Sequence, residues 1–143
     1  MYKYLAAAMA MVLFSAGSAL AFFSFLSGGY QYVSADDLNR RLQAKDSMVI
    51  VDICPPDEFA QGHIAGSIET NAYPTETAEE RARLERALPA ISASAADVII
   101  VCPGGGNGAK RTVDYYKARG VDEKRLVILE KGLRKWPHKK VSR

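Results

Sequence analysis

The chain has 143 residues, 48% of them hydrophobic and 24% charged, a balance that suits one globular domain and excludes a disordered chain. Its formal net charge of +3 falls by one if Lys3 is lost with a leader, and basic residues are interleaved with acids except in the last ten positions. That footprint is too weak for nucleic-acid binding.

No charged residue occurs from Tyr4 to Ala35, and Leu5 to Phe14 form a compact apolar run behind Lys3. This is the form of a signal peptide. Ser15, Ala16, Gly17 and Ser18 lead into Ala19-Leu20-Ala21, a small-x-small pattern that assigns residues 1–21 to the leader and places the mature start at Phe22. Export, to the periplasm or beyond, follows. Phe22, Phe23, Phe25 and Leu26 leave a second reading open, an uncleaved inner-membrane anchor, because they extend the apolar stretch to the ~20 residues that span a bilayer. In both cases the domain faces an oxidising compartment where two cysteines can pair. Residues 22–31, with Ser27-Gly28-Gly29, read as a linker, 32–138 as the domain and 139–143 as a solvated basic tail that could touch anionic lipid.

Within the domain, Val33-Ser34-Ala35-Asp36-Asp37-Leu38 reads as a helix start: Ser34 caps, Asp37 completes the box and Val33 staples against Leu38. Leu38 and Leu42 share one face. Met48-Val49-Ile50-Val51-Asp52 is a β-branched run without alternation, which predicts a buried parallel strand. A helix is predicted over 75–88, with Leu84 and Leu88 in register, and the Ser/Ala-rich stretch 91–96 reads as a loop. A second buried strand, Val98-Ile99-Ile100-Val101, runs into Cys102. A helix over 109–119 turns Ala109, Val113 and Tyr116 to a core and is closed by Gly120. Leu126-Val127-Ile128-Leu129 is a third strand. Strands alternating with helices predict an α/β fold, a parallel sheet covered on both sides. There is no internal repeat.

Cys102-Pro103-Gly104-Gly105-Gly106-Asn107-Gly108-Ala109-Lys110-Arg111 lies where a buried strand ends and a helix begins. Several backbone N–H groups are expected to converge there, an arrangement that suits an anion. A thiol so placed is favoured as thiolate by the amides and the helix dipole. The same donors suit a persulfide, and the glycines let backbone bend around the sulfur. The plainer reading is a buried cysteine filling space beside an ordinary loop. A phosphate-binding P-loop is excluded by spacing, since from Gly104 the second glycine position holds Ala109 and the hydroxyl position Arg111. A cysteine phosphatase needs Arg five residues past the cysteine, and that position is Gly108.

Three segments together resemble the rhodanese-like family, in order and spacing, from Val33 to Pro137. The first is Val49-Ile50-Val51-Asp52, then Glu58-Phe59 and Gly62-His63-Ile64-Ala65-Gly66-Ser67-Ile68; the second is Val98 to Ala109; the third is Leu129-Glu130-Lys131-Gly132-Leu133-Arg134-Lys135-Trp136. The resemblance implies a three-layer α/β/α fold with a five-stranded parallel sheet, and sulfurtransferase chemistry of the thiosulfate type. Cys102 would take the outer sulfur of a donor such as thiosulfate or polysulfide and pass it to a thiophilic acceptor such as cyanide or a thiol, with ping-pong kinetics and without metal or organic cofactor. Substrate would be held by Pro103, Gly104, Gly105, Gly106, Asn107, Gly108, Lys110 and Arg111, supported by Asp52, Cys54 and Glu58. The implied partners are small sulfur-containing anions or thiols, or a partner protein as donor or acceptor, with membrane contact only through an uncleaved leader.

The departures bear on function. Cys54 stands where the family has an Arg, so the ion pair that Arg would make with Glu58 is expected to be absent. Pro103 and Asn107 replace basic residues, leaving Lys110 and Arg111 as the nearest cations and implying weak turnover of cyanide. Cys54 and Cys102 follow strands that are neighbours in the family, about 4.8 Å apart. They could form a disulfide or a resolving pair if their side chains point together, or Cys54 could simply fill space. Asp52 either orients the Cys102 loop or caps, His63 is expected to hydrogen-bond backbone, and Trp136 to pack on the core. Two other functions stay open: a non-catalytic binding module, and a thiol-disulfide switch using Cys54 and Cys102.

Overall fold

The structure, a computed structural model, describes residues 29–143; the leader, its cleavage site before Phe22 and residues 22–28 of the linker lie outside the described residues. Five strands form one parallel sheet in the order β1-β5-β4-β2-β3: β1 (Gln31–Val33), β2 (Met48–Asp52), β3 (Ile68–Glu69), β4 (Asp97–Val101) and β5 (Leu126–Leu129). This is the expected α/β architecture. The three β-branched runs take the centre, where a strand is covered on both faces and, Asp52 apart, its buried side chains are apolar. Val98, Ile99, Ile100 and Val101 of β4 are all fully buried. The edge strands β1 and β3 are short, and as they carry no such run they were not foreseen in the sequence.

Side chains alternate between two cores. Val51, Ile53, Ile100, Cys102 and Ile128 pack on one face with Leu84, Ile91, Ala109, Val113 and Tyr116. Ile50, Cys54, Ile99, Val101 and Leu129 pack on the other with Leu38, Ile64, Leu133 and Trp136. Each large aliphatic side chain so buried contributes about 1.5–3 kcal/mol.

The helix α1 (Ala35–Gln43) starts as predicted: Ser34 is extended, its Oγ accepts the Asp37 amide at 3.1 Å, and Val33 packs on the cluster that holds Leu38. The box is half made, because the Asp37 carboxylate accepts the Ser34 hydroxyl at 2.7 Å instead of reaching back to an amide. A short helix, α2 (Pro56–Gln61), follows β2, and the helix expected over 75–88 is shorter and broken. Thr77 caps α3 (Ala78–Arg83), in a reciprocal box with Glu80. A 3-10 turn, Leu84–Ala87, leads into α4 (Leu88–Ser92), because Pro89 lacks the N–H that a continuous helix needs. Ile91, assigned to a loop by composition, belongs to α4 and is buried. The last helix, α5 (Asn107–Ala118), ends as Gly120 adopts φ 87° and Val121 N donates to Tyr116 O at 3.0 Å.

The basic residues of the tail are exposed, as expected, but its backbone and last side chain are docked. Val141 and His63 exchange backbone hydrogen bonds at 2.9 Å each, and the Arg143 guanidinium grips the Glu69 carboxylate through two contacts of 3.0 Å. His63 donates from Nδ1 to Phe59 O at 2.9 Å and stacks on the Phe59 ring, the backbone role expected of it. Among the described residues no helix is long and apolar enough to cross a membrane.

Candidate active site

Cys102 is the first residue beyond β4, at the carboxyl end of the central strand. The loop 103–106 carries the chain from there to α5, whose capping residue, Gly106, offers no side chain to the helix amides. The amides of Asn107 and Gly108 donate to no acceptor among the described residues, so the positive end of a 12-residue helix faces the loop. The Cys102 side chain is almost wholly buried, yet it lines the floor of a pocket of about 310 Å³. Its Sγ accepts the Gly105 amide at 2.8 Å. Gly105 alone among the loop amides makes this contact, where several were expected to converge.

The loop is held from behind by the segment after β5. Leu133 N donates to Cys102 O at 2.8 Å and Arg134 N to Pro103 O at 3.1 Å. Pro103 is therefore a buried backbone anchor and does not line the pocket. Gly104, Gly106, Asn107, Gly108 and Arg111 do line it. The opposite wall is Tyr73, Pro74 and Glu76, which no motif had marked in the sequence. Gly108 lies under the Tyr73 ring, where a Cβ would sit 3.0 Å from Cδ2. Arg111 donates to Pro74 O at 3.2 Å and pairs with Glu76 at 3.1 Å. Lys110 does not line the pocket: one position before Arg111, it points away from it around the helix, with its ammonium 5.6 Å from the centre of the Tyr30 ring.

The supporting residues lie on the far face of the sheet. Asp52 pairs in register with Val101 and alternates with Val51 and Ile53, which share the Cys102 core, so its carboxylate points away from the sulfur. Its Oδ1 accepts the Cys54 amide at 2.8 Å, a turn-closing bond, so it takes neither of its two expected roles: it bonds no part of the Cys102 loop, and the helix Pro56–Gln61 that follows has Pro55 at its cap and no capping side chain. Its Oδ2 has no partner among the described residues, and burial raises the carboxyl above its ordinary value. Cys54 likewise belongs to the far core, and both cysteines are free. Two cysteines on opposite faces cannot be bridged without backbone movement, which sets aside the disulfide and the thiol switch built on it. Burial, followed by the charge of Asp52, pushes the Cys54 thiol well above its ordinary value. Glu58 is paired after all: Arg134, from the closing segment, approaches it at 2.5 and 3.3 Å and supplies the cation missing at position 54. Among the described residues no three His, Cys, Asp or Glu side chains cluster as metal ligands would.

The sequence model of the rhodanese-like domain matches residues 34–139. The chain belongs to the rhodanese-like family. No curated protein sequence matches it. Its fold is shared by the rhodanese-like domain of an Anabaena protein, at 19% identity and a TM-score of 0.60, over 80% of this chain and 81% of that one. A rhodanese-related protein from Thermoplasma volcanium matches at 20% identity and a TM-score of 0.53, over 80% of this chain and the whole of the other. A structure described as an As-Sb reductase from Leishmania major matches at 20% identity and a TM-score of 0.58, covering 76% and 77%. The rhodanese-like family includes sulfurtransferases.

Proposed function

We propose that this rhodanese-like protein is a sulfurtransferase or sulfur carrier that moves sulfane sulfur through a persulfide on Cys102. The observation that carries the reading is the Gly105 amide on Cys102 Sγ, at the floor of a pocket that opens onto helix amides with no acceptor among the described residues. Such donors can hold the negative charge that passes over the attacking and the transferred sulfur. With thiosulfate, Sγ attacks the outer sulfur, the new S–S bond forms as the old one breaks, and the electron pair leaves on sulfite. An acceptor thiolate then attacks the outer sulfur and restores the Cys102 thiolate. The scheme calls for no metal or organic cofactor, and its partners are small sulfur anions, thiols or a protein thiol.

The lining holds a single cation, Arg111, already paired with Glu76, which supports weak use of thiosulfate and cyanide. Steady-state kinetics with polysulfide and a thiol acceptor provide the test. Parallel double-reciprocal lines, with activity lost in Cys102→Ser, support the proposal; turnover that survives Cys102→Ser contradicts it. The leader pattern supports export to the periplasm, and an N-terminus at Phe22 in the exported protein would bear this out, whereas one at Met1 would mean an anchor.

A further inference from the structure

Two charged side chains line the pocket above Cys102, and they are bonded to each other: Arg111 Nη2 lies 3.1 Å from Glu76 Oε1. Arg111 is also fixed to the wall by its bond to Pro74 O. Their side chains are 39% and 58% exposed, so both charges stand at the mouth rather than at the floor with the sulfur. Among the described residues the charges of Glu76 and Arg111 cancel, so the lining offers no net positive charge, and a small dianion meets Glu76 wherever it meets Arg111. A molecule with a carboxylate and an ammonium on one carbon meets both, the carboxylate on the guanidinium fork and the ammonium on Glu76. The pocket volume, about 310 Å³, is at the lower end for small-molecule sites and suits a molecule of amino-acid size. Tyr73, 39% exposed, gives the rim an aromatic surface.

We propose that the donor is an amino-acid persulfide, R–S–SH, whose α-carboxylate and α-ammonium are held by Arg111 and Glu76. This rests on the reading of Cys102 as the sulfur acceptor. The Cys102 thiolate attacks the outer sulfur, the donor S–S bond breaks with its electron pair on the inner sulfur, and the products are Cys102–S–SH and the thiolate R–S⁻. The outer sulfur keeps its proton, and no external oxidant or reductant is consumed. Glu76 is a specificity residue here, and Arg111 a binding residue.

The test compares the rate of sulfur loading onto Cys102 from three persulfides: that of cysteine, that of 3-mercaptopropionate, which lacks the ammonium, and that of cysteamine, which lacks the carboxylate. Wild-type protein is expected to favour cysteine persulfide by about tenfold in kcat/KM over each of the others, the worth of one charge-assisted contact. Glu76→Gln should erase its advantage over mercaptopropionate persulfide and raise loading from thiosulfate, with an unchanged circular dichroism spectrum. Equal rates from all three in the wild type overturn the inference and leave the Cys102 persulfide standing. No sulfur on Cys102 from any of them overturns both.

Discussion

Gly105 and Gly132 stand face to face where the Cys102 loop meets the closing segment, each in the space the other's side chain would need. Both have positive φ, 72° and 67°. A Cβ on Gly132 would lie 2.4 Å from Cys102 O and 2.6 Å from Gly105 N, and one on Gly105 would lie 2.7 Å from Lys131 N. The amide that reaches the sulfur is thus aimed by backbone packed on backbone. Gly132→Ala is predicted to cost about 3 kcal/mol, through strain at positive φ and the displaced loop. Urea unfolding should show a lower midpoint at unchanged slope; a loss under about 0.5 kcal/mol would speak against the interlock.

Glu58 and Arg134 form an ion pair in which the Arg134 side chain is 62% exposed. Exposed pairs contribute little, because solvent screens them and ordering two long side chains offsets the attraction. Since it is the Arg134 amide, not its side chain, that holds Pro103 O, Arg134→Gln should leave the loop in place. The thermal unfolding midpoint is predicted to fall only slightly, and the shift should shrink with added salt. A large shift that salt does not reduce would show that the pair does more than this.

The two thiols should differ sharply in reactivity. Cys102 lines a pocket, while Cys54 is fully buried and its thiolate is disfavoured by burial and by Asp52. A thiol reagent is expected to label Cys102 in the native protein and Cys54 only after unfolding. No labelling until a reductant is added would mean the disulfide forms after all.

Asp52 gives a pH signature. Burial raises its folded value above that of the unfolded chain, so the folded protein keeps a proton that the unfolded chain releases. Its contribution to stability is therefore greatest below the unfolded value and is lost as pH rises through the folded one. Asp52→Asn keeps an oxygen for the Cys54 amide and removes the titration. Its urea midpoint should gain on the wild type from acid to neutral pH, and a gap that stays constant with pH would contradict this.

The central strands, Cys102 and the glycine loop were legible because each depends on local pattern: β-branched runs for buried strands, glycines for a tight turn. Tyr73 and Glu76 were not, since a pocket wall facing a loop from 26 or more positions away leaves no periodic trace. Arg134 is the clearest case. The sequence shows an Arg missing at position 54, but only the fold shows another reaching Glu58 from the closing segment. The opposite faces of Cys54 and Cys102 follow from strand register, which neither cysteine's neighbours reveal.

The most direct measurement is the intact mass of the native protein after incubation with polysulfide, beside Cys102→Ser and Cys54→Ser. Gain of one sulfur atom by the wild type and by Cys54→Ser, reversed by a thiol and absent from Cys102→Ser, is the predicted result. An unchanged mass in folded wild-type protein with a free Cys102 would contradict the account and leave a rhodanese-like fold without sulfur chemistry.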